Sequence, residues 1–322
     1  MTRELPAGYL LRRPEDSDAG AIVTLKVACD LETLGEPDST LDDVKAEWSQ
    51  PRFDRARDAW VVFSPDRAVV GYAWVWDRIP HQDLQADLYV HPEHRARGIE
   101  DVLLRLIEAR GQEHETAMRQ GAELTVALFA DSREILATVL QATGYRQIRT
   151  FLRMRIDLDG TPAPADLPDG IEIRPFRRGV DEREIHGILE ESFEGHFRFA
   201  REPHEEWVAR RVSYPSFEPG LWRIAWDRDQ GAGAVLPYRF GDLGWVRELG
   251  VRGAWRGRGI GKALLLEAFR ALEQRGHRRI SLGVDAQNAS GATRLYEGVG
   301  MRVELRNELY QKILAPARSL IP

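Results

Sequence analysis

The sequence predicts an α/β (α+β) protein made of two tandem domains of the same design, and three observations carry that expectation. Segments of strand and helix periodicity alternate along 322 residues, a length beyond one average domain. The order of those segments starts again after residue 170. A strand, a glycine-rich turn and a helix follow one another without interruption twice, once around Val90 and once around Val251.

Tyr9 to Arg12 reads as a strand, Asp16 to Ala28 as a helix capped by Asp16 or Ser17, and Leu41 to Ser49 as a second helix. Trp60 to Phe63 and Val69 to Trp76 flank the turn SPDR as an antiparallel hairpin would. Leu84 to Val90 is a further strand that leads into HPEHRARGIEDVLLRLIEAR, a turn and a long amphipathic helix. Leu124 to Phe129 reads as a strand, Ser132 to Ala142 as a helix stopped by Gly144, and Ile148 to Ile156 as a closing strand. Asp157 to Gly170, DLDGTPAPADLPDG, has the proline, glycine and aspartate content of a linker and no apolar periodicity. After it come a strand at Ile171 to Pro175, helices at Glu182 to Phe193 and Glu205 to Val212, and strands around Trp222 to Trp226, Ala232 to Tyr238 and Trp245 to Val251.

Placing Val90 on Val251, an offset of 161, puts Arg95 on Arg256, Arg97 on Arg258, Gly98 on Gly259 and Ile99 on Ile260. Gly144 falls on Gly300 at an offset of 156. A period this long means duplicated domains rather than a solenoid, expected at 1–156 and 171–322 with residues 157–170 between them.

Composition narrows the function. With 43% hydrophobic and 30% charged residues the chain is an ordinary globular one, and its net charge of −6 argues against a general nucleic-acid partner, which calls for a basic face. Cys29 is the single cysteine, so neither an intrachain disulfide nor a cysteine-rich metal site is available. No segment has the length and apolarity of a membrane span, and MTRELPAGYLLRRPEDSD lacks the apolar run of a signal peptide, so no membrane partner and a cytoplasmic location are expected.

Chemistry concentrates in ELGVRGAWRGRGIGKALLLEAF, from Glu248 to Phe269. Gly253, Gly257, Gly259 and Gly261 occupy the bend, Arg252, Arg256, Arg258 and Lys262 supply positive charge, and Ala263, Leu264, Leu265, Ala268, Phe269 and Leu272 repeat at helical spacing. Glycine permits positive φ and close approach, so successive N–H groups can converge on phosphate oxygens at the positive end of the helix beginning near Ile260. A Walker A loop is excluded, because Arg256 stands at its first glycine and Ala263 at its hydroxyl. A dinucleotide fingerprint is excluded too, since Lys262 stands where its third glycine belongs.

Arg256-x-x-Gly259-x-Gly261 after a strand ending in Val251 resembles the acyl-CoA pyrophosphate loop of the GNAT superfamily of N-acyltransferases. VDAQNASGATRLYEGVGMR adds a second match, with Asn288 after a strand ending at Val284 or Asp285 and Tyr296 eight residues on, within a helix closing at Gly298 to Gly300. That spacing is about two and a quarter helical turns, which would turn Asn288 and Tyr296 to similar sides of one helix. The resemblance implies two domains, each a mixed, mostly antiparallel central sheet flanked by helices, and acetyl-CoA as acyl donor with no metal. Among two-copy members the layout is similar to that of the mycothiol synthase family.

The resemblance also implies residue roles. The pyrophosphate would lie over Arg256, Gly257, Arg258, Gly259, Ile260, Gly261 and Lys262, and the pantetheine would pair with the backbone near Leu249 and Val251 as an added strand. Asn288 would bond the pantetheine or phosphate region, and Tyr296 would hold the sulfur and protonate the leaving thiolate. An amine attacks only when neutral, so a base is needed: Glu248, three residues before Val251, or water. The superfamily often has its acid six residues before that valine, where Trp245 stands, and Glu248 reads equally as an ion-pair partner of Arg247 or Arg252. The segment from Phe193 to Gly220 would cover the acceptor, with His196 and Trp207 as candidate substrate contacts; His196, His204 and Glu205 form no metal motif.

In the first copy Glu100 replaces Gly261, Ser132 replaces Asn288 and Leu140 replaces Tyr296, which reads as a silent domain acting as an internal pseudo-dimer partner. The expected activity is acetyl-CoA-dependent acetylation of a small-molecule primary amine in the second domain, by a monomer or a homodimer. A non-catalytic acyl-CoA sensor and a peptide or protein N-acetyltransferase are the alternatives.

Overall fold

The computed structural model describes residues 4–79, 83–113, 125–131, 135–164, 166–212, 214, 216–288 and 291–314. The first half of the chain forms β1 (Leu10–Arg12), α1 (Ala19–Thr33), α2 (Leu41–Trp48), α3 (Arg55–Asp58), β2 (Ala59–Phe63), β3 (Val69–Ile79), β4 (Asp83–Val90), α4 (Ile99–Glu113), β5 (Thr125–Asp131), α5 (Ile135–Ala142) and β6 (Arg146–Asp157). The second forms β7 (Ile171–Pro175), α6 (Glu182–Phe193), α7 (His204–Val212), β8 (Arg223–Asp227), β9 (Gln230–Phe240), β10 (Leu243–Val251), α8 (Ile260–Glu273), β11 (Arg279–Asp285), α9 (Ala292–Glu297) and β12 (Arg302–Ile313). The starts expected at Leu124 and Ser132 lie outside the described residues.

Two compact units result, one from Met1–Thr150 with Leu305–Pro322 and the other from Phe151–Glu304. They are not the contiguous halves expected from the repeat. β6, expected to close the first domain, pairs antiparallel with β11 of the second unit from Asp157↔Arg279 to Phe151↔Asp285. β12, to which the sequence analysis assigned no element, pairs antiparallel with β5 of the first unit from Ile313↔Thr125 to Asn307↔Asp131. The physical reason is that β6 and β12 stand at equivalent places of the repeat, so each fits the other's position. An alternating pattern specifies a strand but not which copy's sheet receives it.

Within the first unit the strands lie in the order β1-β2-β3-β4-β5-β12, and within the second β6-β11-β10-β9-β8-β7. In each unit one of these neighbouring pairs is parallel, β4 with β5 and β10 with β11, and the pairs beside it are antiparallel. Helices supply the apolar stripes that bury each sheet. α8 sets Ile260, Leu264, Leu265, Ala268 and Phe269 into the core of the second unit, and α4 sets Ile99, Leu103, Leu104 and Ile107 into that of the first, all fully buried. The shared i, i+4, i+5 spacing gives both helices one apolar face at the same phase, so both are entered by loops of one shape.

Those loops bend through Ala96 (φ 59°) and Gly98 (φ 91°) before α4, and through Gly257 (φ 74°) and Gly259 (φ 84°) before α8. A left-handed backbone costs an alanine about 1–2 kcal/mol, only part of which a glycine would give back as unfolded-chain entropy. Ala96→Gly is therefore expected to stabilise the first unit by about 0.5–1 kcal/mol, read as a rise in the temperature of thermal unfolding.

Candidate functional site

In the second unit, β10 and β11 pair only from Leu243↔Arg279 to Val246↔Leu282. Beyond that point β11 stays with β6 through Asp285, and β10 stays with β9 through Val251, so the two parallel strands part in a V. A β-bulge lies at the vertex: Val246 faces Pro237 and Glu248 faces Leu236, leaving Arg247 as the extra residue. Arg252 N donates to Ala232 O at 2.9 Å, which fixes the alternation of the ladder beyond the bulge. Leu249 and Val251, three and one residues out of phase with that bond, turn their backbone groups away from β9 and into the opening.

At the wide end of the V the loop enters α8. Arg256 N donates to Gly253 O at 3.3 Å and Ala263 N to Gly259 O at 3.1 Å. Among the described residues the amides of Gly257, Arg258 and Gly259 donate to no backbone carbonyl, and the first N–H groups of α8 have none by helix geometry. A Cβ built on Gly257 or Gly259 would meet nothing within 4 Å, so these amides face open space at the positive end of the helix. Arg258 and Lys262 are exposed beside them. Arg256 is used differently from expectation: its Nε donates to Val251 O at 3.0 Å and its Nη2 to Ser192 O at 2.9 Å, tying strand end, loop and α6 together.

The same loop recurs in the first unit with different occupants. β4 and β5 part after Gln85↔Ala127, and Arg95 Nε again donates to the strand-end carbonyl, Val90 O, at 3.2 Å. Glu100, however, is buried, and its Oε1 accepts from Ala96 N at 3.2 Å. Ala96 is the counterpart of Gly257, so the protein's own carboxylate fills the place that stays open in the second unit. Burial, the largest influence, holds the Glu100 carboxyl above its ordinary pKa against the pull of these backbone amides. The glutamate turns inward onto its own loop rather than outward.

α9 meets the loop from the side. A Cβ on Gly261 would lie 3.4 Å from Leu295 Cδ2 and 3.7 Å from Val251 Cγ2, so the start of α8, α9 and the end of β10 converge there. Tyr296, next to Leu295, is buried, and burial pushes its phenol up to about 12. It therefore stays protonated at any working pH. Asn288 does not share its helix: α9 starts only at Ala292, after Gly291 at φ 75°, and Asn288 lies in a turn where its N–H reaches Asp285 O at 3.0 Å. The expected single helix from Asn288 to Tyr296 is replaced by a turn plus six helical residues.

On the acceptor side Glu248 has a partner that sequence reasoning did not find. Arg211 on α7 grips it with two bonds, Nε to Oε2 at 3.2 Å and Nη2 to Oε1 at 2.5 Å. Despite burial, Arg211 and then Arg247 hold the carboxylate below its ordinary range, which makes it a weak base. The two residues are 37 apart in sequence and no local signal joins them. His196 lies where the charges of Arg256 and Asp285 both act on it, near the mouth of the V, and burial with Arg256 lowers its pKa. Trp207 is a correction: it is 3% exposed, its ring centroid 6.0 Å from that of Trp222 in an aromatic core, and offers a substrate no open face. The apolar phase of α7 demands that position more than any acceptor does.

Among the described residues no group of three or more His, Cys, Asp or Glu side chains is placed to hold a metal ion, and no helix is long and apolar enough to cross a membrane.

Known proteins resemble this chain in sequence and fold. Residues 183–301 match the acetyltransferase (GNAT) family. A mycothiol acetyltransferase of Kineococcus radiotolerans is 33% identical over 73% of this chain and 75% of its own length. That of Geodermatophilus obscurus is 30% identical over 73% and 76%. A crystal structure of a GCN5-related N-acetyltransferase from Sphaerobacter thermophilus superposes with a TM-score of 0.83 at 32% identity, covering 97% of this chain and 98% of that one. A tandem GNAT protein from the clavulanic acid biosynthesis pathway shares the fold at a TM-score of 0.67 and 17% identity, over 98% and 100%. With the strand, loop and helix arrangement described above, this similarity over most of its length makes the chain a member of the GNAT acetyltransferase family and an N-acetyltransferase.

Proposed function

We propose that the chain transfers an acetyl group from acetyl-CoA to the primary amine of a small molecule, and that it does so in the opening between β10 and β11. One observation carries the choice of unit: the amides of Gly257, Arg258 and Gly259 are unengaged where the first unit has Glu100 folded onto the same loop. The residues fit the donor. The amides from Gly257 to Lys262, with the Arg258 and Lys262 side chains, would hold the pyrophosphate, and Leu249 and Val251 would extend the ladder to the pantetheine amides. Asn288, in the turn at the end of β11, would reach the pantetheine from the other wall of the V.

Acetyl-CoA supplies the activated acyl group, and the remaining work falls to the chain's own side chains. The N–H groups of Leu249 and Val251 face the opening, where they can stabilise charge developing on a carbonyl oxygen. Tyr296 keeps its proton until a thiolate of comparable basicity forms in the same desolvated pocket, then donates it. Glu248, neutralised by Arg211, leaves the amine's proton to water and serves to fix Arg211 in place. The relatives named mycothiol acetyltransferase support a small-molecule acceptor over a peptide or protein one.

Calorimetric titration of acetyl-CoA into the full chain tests this reading, followed by thiol release with a panel of primary amines. One saturable donor site with amine-dependent release of CoA is expected. No binding of acetyl-CoA would overturn it, and binding without release from any amine would favour a sensor.

A further inference from the structure

Two guanidinium groups and one carboxylate meet at the vertex of the V. Glu248 spends both oxygens on Arg211, whose side chain is 9% exposed. The third nitrogen of that guanidinium, Arg211 Nη1, is buried with no hydrogen-bond partner. Arg247, the extra residue of the bulge, makes no hydrogen bond or ion pair among the described residues; its guanidinium carbon lies 5.3 Å from the ring centroid of Tyr214 and 5.6 Å from that of Tyr238. Rings orient a guanidinium but leave its charge uncompensated. The cluster thus carries a net positive charge on the half-buried Arg247, beside a buried donor on Arg211 that has nothing to bond, and that second deficit is of the kind that folded proteins rarely leave unmet.

The position is specific to the second unit. Ala86, buried and apolar, occupies the counterpart of Arg247 in the first, where β3 and β4 run through that point in unbroken register, Val75↔Ala86 and Trp74↔Asp87. Arg247 is also the first residue past the last β10–β11 pair, at the vertex of the opening.

Resting on the proposed reaction site, we infer that the acceptor is an amine bearing an anionic group, a carboxylate or a phosphate, which Arg247 receives with Arg211 behind it. Arg247 is then a specificity residue. It offers a planar fork of donors to the anion while the rings of Tyr214 and Tyr238 hold that fork in orientation. Glu248 has the complementary task of keeping Arg211 charged and placed, and of excluding a second cation from the floor of the site.

The test uses the full chain and acetyl-CoA. Thiol release is followed with two matched pairs, L-phenylalanine against L-phenylalaninamide and O-phosphoethanolamine against ethanolamine. Calorimetry of N-acetyl-L-phenylalanine against its amide gives a readout that needs no turnover. In at least one pair the anionic member is expected to exceed its neutral partner by about tenfold or more in kcat/KM, chiefly through KM. The pair that shows it tells carboxylate from phosphate. Arg247→Gln should bring that ratio close to one while acetyl-CoA binds as in the wild type, and Arg247→Lys should restore part of it. Equal use of both members in each pair, a preference that survives Arg247→Gln, or no binding of the anionic product together with no anionic acceptor would overturn the inference. Failure of the underlying reading looks different, because the wild-type chain would then not bind acetyl-CoA at all.

Discussion

Tyr296→Phe is expected to lower turnover about ten- to ten-thousandfold while leaving the affinity for acetyl-CoA within about twofold of wild type. The substitution removes one oxygen from a buried ring and keeps the packing of α9 against the core, so the change is confined to the proton that the phenol supplies. A phenol raised to about 12 is a weaker acid than a free thiol, whose ordinary pKa is about 8.5. The proposed donation would be effective because burial raises a thiolate's proton affinity in the same pocket, and the loss should therefore fall on kcat. Steady-state kinetics with calorimetry of acetyl-CoA separates the two quantities. An unchanged kcat would remove Tyr296 from proton transfer and leave it as a packing residue of α9.

Gly261→Glu is expected to weaken acetyl-CoA binding by on the order of a hundred- to a thousandfold, since like charges about 4 Å apart in a partly buried site repel by about 4 kcal/mol. The first unit already displays the geometry. Glu100, at the equivalent position, folds onto its own loop and occupies the Ala96 amide. A glutamate at 261 would reach the Gly257 amide in the same way, with its Cβ in ordinary contact with Leu295 and Val251 at 3.4 and 3.7 Å. Gly261→Ala separates the causes, for it adds a Cβ without the charge and should cost far less. Titration calorimetry of both variants reads the difference; full affinity in Gly261→Glu would show that the pyrophosphate does not lie over this loop.

How much of this was legible depended on whether its cause was local. The strand, loop and helix around Val251 were, because positive φ at Gly257 and Gly259 and the apolar phase of α8 are properties of adjacent residues. The duplication was legible for the same reason. The turn before α9 was not, since eight residues that could span one helix are broken by Gly291 in the left-handed region. The grip of Arg211 on Glu248 joins α7 to β10 and leaves no trace in either segment's pattern. The bulge at Arg247 is set by the ladder with β9, so only a pairing register reveals it. Trp207 was misplaced because an aromatic on an amphipathic helix looks alike whether it faces a core or a cleft.

The exchange of β6 and β12 has a consequence for the order in which the molecule can be completed. During synthesis the chain emerges from its N-terminus, and a first half with its own closing strand would fold while the second was still being made. Here β5 waits for β12, a partner about 180 residues away, whereas β6 waits only for β11, about 130 residues on. The unit begun first is finished last. Pairing over such a separation carries the larger loop-closure cost and forms slowly, leaving one side of β5 unpaired until the final strand arrives.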